Sequence, residues 1–171
     1  FLLEALANIK GRDWIWAVIG SGPEQELLAR QAAQLGISER IQWLGHLPED
    51  AKWRALVSAD VFVLPSLHEG FGVVNLEAMA CGLPIVTTQV GGQADFLQPE
   101  RNAILVPPSD VGALTSALRR MLTDGDLRQL LLKRVEKREN GDVVITDIPM
   151  VDQGPKGFCV PATWERYLRY L

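Results

Sequence analysis

Residues 61–88 read Val61-Phe62-Val63-Leu64-Pro65-Ser66-Leu67-His68-Glu69-Gly70-Phe71-Gly72-Val73-Val74-Asn75-Leu76-Glu77-Ala78-Met79-Ala80-Cys81-Gly82-Leu83-Pro84-Ile85-Val86-Thr87-Thr88. The run Val61 to Leu64 is apolar throughout, as a parallel strand covered on both faces should be. Pro65 ends it, and a loop to Gly72 leads into a short helix that stops near Cys81-Gly82. Pro84 then introduces a second, β-branched run, Ile85-Val86-Thr87-Thr88. Strand, helix and strand in this order predict a right-handed crossover between two parallel strands.

The same alternation extends in both directions. Trp14 to Ile19 reads as a buried strand, followed by Gly20-Ser21-Gly22-Pro23 and a helix from about Glu24 to Leu35, with Gly36 in the stop position. Ile41 to Leu44 predicts a strand ending at Gly45. A helix over Glu49 to Ser58 follows, with Ala51, Ala55 and Ala59 on one face. Beyond the central segment, Gly91-Gly92 opens a short helix, and Ala103 to Val106 makes a fifth strand before Pro107-Pro108. Val111, Leu114, Leu118 and Met121 have helical spacing, and Leu127, Leu131 and Val135 repeat at four. The fold class is therefore α/β, a doubly wound parallel sheet.

That pattern covers residues 1–138. Phe1-Leu2-Leu3-x-x-Leu6 begins inside a helical apolar pattern, with no capping residue and no initiator Met, so the domain reads as N-terminally truncated. Residues 139–161 are broken up by Asn140-Gly141, Gln153-Gly154-Pro155 and Lys156-Gly157, although Val143-Val144-Ile145 has strand composition. They read as an irregular excursion of unknown role before a C-terminal helix over 162–171.

Composition narrows the functional classes. The chain has 171 residues, 47% hydrophobic and 22% charged, which suits one soluble domain with a substantial core. A net charge of −4 implies no global attraction to nucleic acid or anionic lipid. The local basic run Arg128, Lys133, Arg134, Lys137 and Arg138 reads as a solvated helix face. Cys81 and Cys159 lack metal or redox spacing, and Cys81 reads as a small buried thiol. Two cysteines, no visible signal peptide and no apolar run approaching about 18 residues fit a cytoplasmic protein. His46 and His68 have no second ligand nearby in sequence.

In an open parallel sheet, ligands bind in the crevice beyond the carboxyl ends of the strands. Glycines follow four of the five strands: Gly20-Ser21-Gly22, Gly45, Gly70-Phe71-Gly72 and Gly91-Gly92. There they allow a ligand to approach the backbone. The amides from about Phe71 to Val74 begin a helix, leaving unpaired N–H groups and partial positive charge suited to phosphate oxygens. Glu69 precedes that helix and Glu77 lies inside it, so both carboxylates are placed to reach neutral hydroxyls beside the phosphate position. This combination suits a nucleotide sugar.

Glu69-Gly70-Phe71-Gly72 with Glu77 eight positions after Glu69 resembles the E-x7-E signature of retaining, group 1 (GT4) glycosyltransferases of GT-B fold. Gly20-Ser21-Gly22-Pro23, Trp43-Leu44-Gly45 and the run from Glu77 to Val86 are similar to that family in order and spacing, and the resemblance covers residues 1 to about 138. It implies a Rossmann-like C-terminal half of a GT-B fold, which binds the donor, a UDP- or GDP-sugar. Glu69 would contact the sugar and serve as the catalytic residue; Glu77 would hold the ribose. Gly70, Phe71, Gly72, Val73 and Val74 would face the diphosphate and sugar. Gly20, Ser21, Gly22, Trp43 and Leu44 would surround the nucleoside. The resemblance implies no cofactor and no metal: helix amides and basic side chains would stabilise the leaving diphosphate.

Some expected parts have no counterpart here. The family's upstream strand and loop, whose Arg and Lys neutralise the diphosphate, are not matched, nor is the acceptor-binding domain. The partner implied is that N-terminal domain of the same protein, with peripheral membrane contact only through a longer chain; this piece alone is expected to be inactive. Asp95 stands where the Gly-Gly-x-x-Glu pattern carries Glu. A non-catalytic nucleotide-sugar-binding module, a GT-B-fold epimerase and a flavodoxin-like domain are the alternatives. The last lacks the acidic cluster after its early strand, and no epimerase acid/base set is evident.

Overall fold

In the computed structural model, the structure describes residues 1–132, 135–137 and 143–145. The elements are α1 (Leu2–Ala7), β1 (Trp16–Ile19), α2 (Gln25–Gln34), β2 (Ile41–Gly45), α3 (Glu49–Val57), β3 (Phe62–Leu64), α4 (Val73–Ala80), β4 (Ile85–Thr88), β5 (Ala103–Val106), α5 (Val111–Thr123), α6 (Gly125–Leu132), β6 (Val135–Lys137) and β7 (Val143–Ile145). Short 3₁₀ turns at Ser38–Arg40 and Gly91–Asp95 complete the path.

β3, β4 and β5 form a parallel ladder in that order, with Phe62 opposite Ile85 and Ile85 opposite Ala103. β1 and β2 form a second parallel pair, Trp16 opposite Ile41. Alternation along the strands sends side chains to two faces. Val63, Val86, Ile104 and Val106 join α1 and α5 residues such as Leu3, Leu6, Leu114 and Leu118 in one core. Phe62, Ile85, Ala103 and Leu105 join Leu56 of α3, Leu76 and Met79 of α4, and Phe96 in the other. With apolar cores on both faces, the strand residues cannot alternate polar and apolar, and β4 is buried at every position. This is the doubly wound α/β architecture expected.

The helices owe their ends to local chemistry. Asp110 caps α5 by accepting from the Ala113 amide at 2.8 Å, and Asp124 accepts from Leu127 N at 2.8 Å to start α6. Gly36 takes φ 70° beyond the C-cap of α2, the left-handed position a helix stop favours. α1 packs against α5, where the Thr115 hydroxyl, which donates to Val111 O at 2.7 Å, lies 3.4 Å from the Ala5 carbonyl.

Several expectations need correction. β1 is not a fully buried strand: Trp16 and Val18 face the core, whereas Ile19 is 38% exposed and Ile15 before it 65%. Only one face of the β1–β2 pair is covered among the described residues. α3 buries itself through Leu56 and Trp53 rather than an alanine stripe, because the bulkier side chains reach the core and Ala59 is exposed. Val135 is not the third member of a helical repeat; it lies in β6, paired antiparallel with Ile145 of β7. Val135, Val143, Val144 and Ile145 are β-branched, which favours the strand. The strand composition of 143–145 is thus realised. Of the basic run, Arg128 lies on α6 and Lys137 on β6; Lys133, Arg134 and Arg138 lie outside the described residues. So do the remaining residues of 139–161 and the expected helix over 162–171. No helix among the described residues is long and apolar enough to cross a membrane.

Candidate functional site

The loop after β3 and the first turn of α4 form the centre of the site. α4 begins at Val73, two residues later than the first amide expected to open it, because Gly72 is its N-cap. Gly72 has φ 77° and ψ 47°, a left-handed conformation, and a Cβ there would stand 2.9 Å from Asn75 Nδ2. No side chain caps this terminus. Asn75 N donates to the Gly72 carbonyl at 2.9 Å, while the amides of Val73 and Val74 have no intrahelical partner, where the helix dipole is positive. Val73 and Val74 are exposed at 54% and 40%, so the terminus opens outward.

Glu69 lies just before that terminus. Its Oε1 accepts from the Gly70 amide at 3.2 Å and its Oε2 from the Ser66 hydroxyl at 3.4 Å. The turn after β4 backs this loop: Gly92 N donates to Gly70 O at 2.8 Å, and Gly91, at φ 58°, lies against the Glu69 carbonyl.

Beneath the loop runs a buried polar network that the sequence did not disclose. Gln93 is fully buried; its Oε1 accepts from Asn75 Nδ2 at 2.8 Å and lies 3.4 Å from the Thr87 hydroxyl oxygen, while its Nε2 donates to the Thr88 carbonyl. Thr87 donates its one hydroxyl proton to Leu64 O at 2.7 Å, and Thr88 donates to Ser66 O. These bonds tie the ends of β3 and β4, the 65–72 loop and the start of α4 together. Asn75 Oδ1 is buried without a partner among the described residues. Polar residues flanked by glycines gave no sign of burial; only the threonines at the end of a fully apolar strand hinted at it.

Glu77 sits on α4 with its side chain 12% exposed, and its Oε1 accepts from Lys52 Nζ of α3 at 2.9 Å. Lys52 was also missed in the sequence, since its partner lies 25 residues away. Partial burial works against the Lys52 charge, yet hydrogen bonds from its ammonium to Glu77 and Glu49 leave its pKa above the ordinary value. Cys81, one turn on, is half-buried as a free thiol; burial and the Glu77 charge push its pKa up to about 11.

The glycines after β1 and β2 come together. Gly20 N donates to Gly45 O at 2.7 Å, and Gly20 has φ 119°. No atom lies within 4 Å of a Cβ built on Gly20, Gly22 or Gly45, so backbone there faces open space. Leu44 is 37% exposed beside them, whereas Trp43 packs its ring edge-on to Trp16, centroids 6.1 Å apart. Ser21 is exposed. Among the described residues no cluster of three or more His, Cys, Asp or Glu could hold a metal ion.

The site thus joins a parallel α/β fold to a helix start without a side-chain cap, with Glu69 before it and Glu77 inside it. The family described as glycosyl transferases group 1 matches residues 1–138, and this chain belongs to that family. It is 38% identical over 112 residues to the 2-deoxystreptamine N-acetyl-D-glucosaminyltransferase of Streptomyces fradiae, covering 66% of this chain and 27% of that protein. Anabaena HepE, solved in complex with UDP, is similar at 26% identity and a TM-score of 0.69, over 77% of this chain and 37% of HepE. The C-terminal domain of a group 1 glycosyl transferase from Francisella tularensis is similar at 26% identity and a TM-score of 0.68, over 77% of this chain and 71% of that domain. The chain thus spans well under half the length of the curated relative, and most of the solved C-terminal domain.

Proposed function

We propose that this chain is the donor-binding half of a retaining, GT4-type glycosyltransferase, which moves a sugar from a UDP- or GDP-sugar to an acceptor. Residues 1–138 form the donor domain, and a second domain of the same protein holds the acceptor. Glu77 binds the ribose hydroxyls, and Glu69 contacts the donor sugar as the catalytic carboxylate. The amides of Gly70, Phe71, Gly72, Val73 and Val74 face the diphosphate. Gly20, Ser21 and Gly22, with Trp43 and Leu44, surround the nucleoside, where Trp43 supports the wall from within.

As the bond from the anomeric carbon to the diphosphate breaks, negative charge grows on the leaving oxygen. Fixed helix amides stabilise that charge without reorganising, and basic side chains from outside residues 1–138 supply the rest, with no metal in the scheme. The protein acts in the cytoplasm, at the membrane surface only through a longer chain. The observation that carries this reading is the uncapped start of α4 at Gly72, with Glu69 just before it and Glu77 just inside it.

Titrating UDP, GDP and ADP into this chain by calorimetry tests the reading. Binding should be weaker than micromolar, since charge-assisted contacts worth about 1.5–3 kcal/mol each are missing from the diphosphate. No transfer to any acceptor should follow, because closure of a second domain is what excludes water from such sites. Absence of nucleotide binding at millimolar concentration would overturn the reading; sustained transfer by this chain alone would overturn its assignment as a half.

A further inference from the structure

Lys52 is bound to two carboxylates of very different exposure. Its Nζ lies 2.9 Å from Glu77 Oε1 and 3.0 Å from Glu49 Oε1. Side chains of Lys52 and Glu77 are 22% and 12% exposed, whereas Glu49 is 62% exposed. The ammonium also stands 5.0 Å from the centroid of the Trp53 ring. An ammonium donates three hydrogen bonds and accepts none, while a carboxylate offers two oxygens with about four acceptor positions. Lys52 engages one oxygen of Glu77; among the described residues no donor is bonded to the other, Oε2.

A half-buried carboxylate with one oxygen pinned is a directional acceptor. Its torsion is fixed by the ammonium, and Glu49 in turn holds that ammonium from the solvent side, so the pinning does not depend on a single flexible contact. Sugar hydroxyls approaching Oε2 meet a carboxylate that needs no reorientation, which lowers the entropy lost on binding. We propose that Lys52 is a positioning residue of the donor site, holding Oε1 of Glu77 so that Oε2 receives the vicinal hydroxyls of the ribose. This rests on the reading of Glu77 as the ribose carboxylate. A bare α3–α4 clip would share the geometry but would be indifferent to the hydroxyls of the ligand.

UDP and 2′,3′-dideoxyuridine diphosphate, titrated separately into the 171-residue chain by protein-observed NMR up to millimolar concentration, tell the two apart. The proteins compared are the wild type, Lys52→Met, Lys52→Gln, Lys52→Arg and Glu77→Gln. The wild type should prefer UDP. Lys52→Met should lose UDP affinity by about tenfold, or ~1.4 kcal/mol, with dideoxy affinity unchanged, and Lys52→Arg should restore most of the preference. Lys52→Gln, uncharged but of similar polarity, should lose it too and carries the test if the Met variant does not fold. If the Lys52 variants keep the full preference while Glu77→Gln loses it, the positioning role is overturned and the ribose reading stands. If Glu77→Gln also keeps it, or the wild type has none, the ribose reading falls and takes the inference with it.

Discussion

Gly91 stands so close to Glu69 that a Cβ on it would lie 1.7 Å from the Glu69 carbonyl oxygen. Real Cβ atoms never come that near, and the obstacle is backbone rather than a flexible side-chain end. The turn after β4 therefore sets the height of the loop that carries Glu69. Gly91→Ala should combine a left-handed backbone cost of about 1–2 kcal/mol with displacement of that loop. The expected result is a melting temperature lower by roughly 4 °C or more, with a larger fall in transfer rate in any longer protein containing this domain. Thermal unfolding of the variant, with Gly92→Ala beside it, checks this.

Gln93 makes a second prediction. It is buried, and Asn75 Nδ2 has no other partner among the described residues, so Gln93→Leu leaves that amide unpaired. Stranded buried polar groups cost about 1–3 kcal/mol each. Gln93→Leu and Asn75→Ala should each destabilise the domain by that order. Their double variant should fall short of the sum, because one bond is lost twice. Chemical denaturation of the four proteins measures the coupling, and strict additivity would mean the bond contributes nothing.

Cys81 gives a pH dependence. Its pKa is raised from 9.0 to about 11, by burial first and by the charge of Glu77 second. Between these values the unfolded thiol releases its proton while the folded one keeps it. The folded state then binds more protons, and stability falls as pH rises through that window. Below pH 9 the group contributes no slope. Cys81→Ala should flatten the decline between pH 9 and 11, and the wild-type thiol should react slowly with a disulfide reagent at pH 8, where it is protonated. Rapid labelling of Cys81 itself at pH 8, read in a Cys159→Ser chain, would contradict the burial.

How far the sequence alone reached depended on whether neighbours in space were neighbours in the chain. The five parallel strands, the glycines after four of them and the Glu69–Glu77 pair are local signals, legible from Pro, Gly and β-branched composition. The contact of Gly91 with Glu69, the Gln93 network and the Lys52–Glu77 bond join segments brought together only by the crossovers. A glutamine after two glycines and a lysine in a charged helix turn carry no local mark of burial. β1 erred differently: six residues of apolar and aromatic composition cannot reveal that one of their two faces is left uncovered. Val135 was misassigned because a repeat of four positions also suits a β-branched residue that has already left the helix.

The last prediction divides the two glutamates, and concerns a protein holding both halves of the proposed enzyme. Glu77, bonded to Lys52 and half-buried on α4, would touch a ribose that does not change during the reaction. Glu77→Gln then removes a charge-assisted contact equally from ground and transition states, weakening donor binding by roughly ten- to a hundredfold, or about 1.5–3 kcal/mol. The Michaelis constant for donor should rise while turnover stays near wild type. Among the described residues Glu69 is bonded only to the Gly70 amide and the Ser66 hydroxyl, at 3.2 and 3.4 Å, so its carboxylate can follow a sugar whose charge and shape change as the bond breaks. Glu69→Gln should leave UDP and GDP affinity nearly unchanged and lower turnover instead. Neither side chain belongs to either hydrophobic core, so both variants should fold. Steady-state kinetics and nucleotide affinity on the two variants side by side decide it. Equal losses of nucleotide affinity in both would end the division of labour, and no loss in either would leave Glu77 as a structural partner of Lys52 and Glu69 as a loop carboxylate.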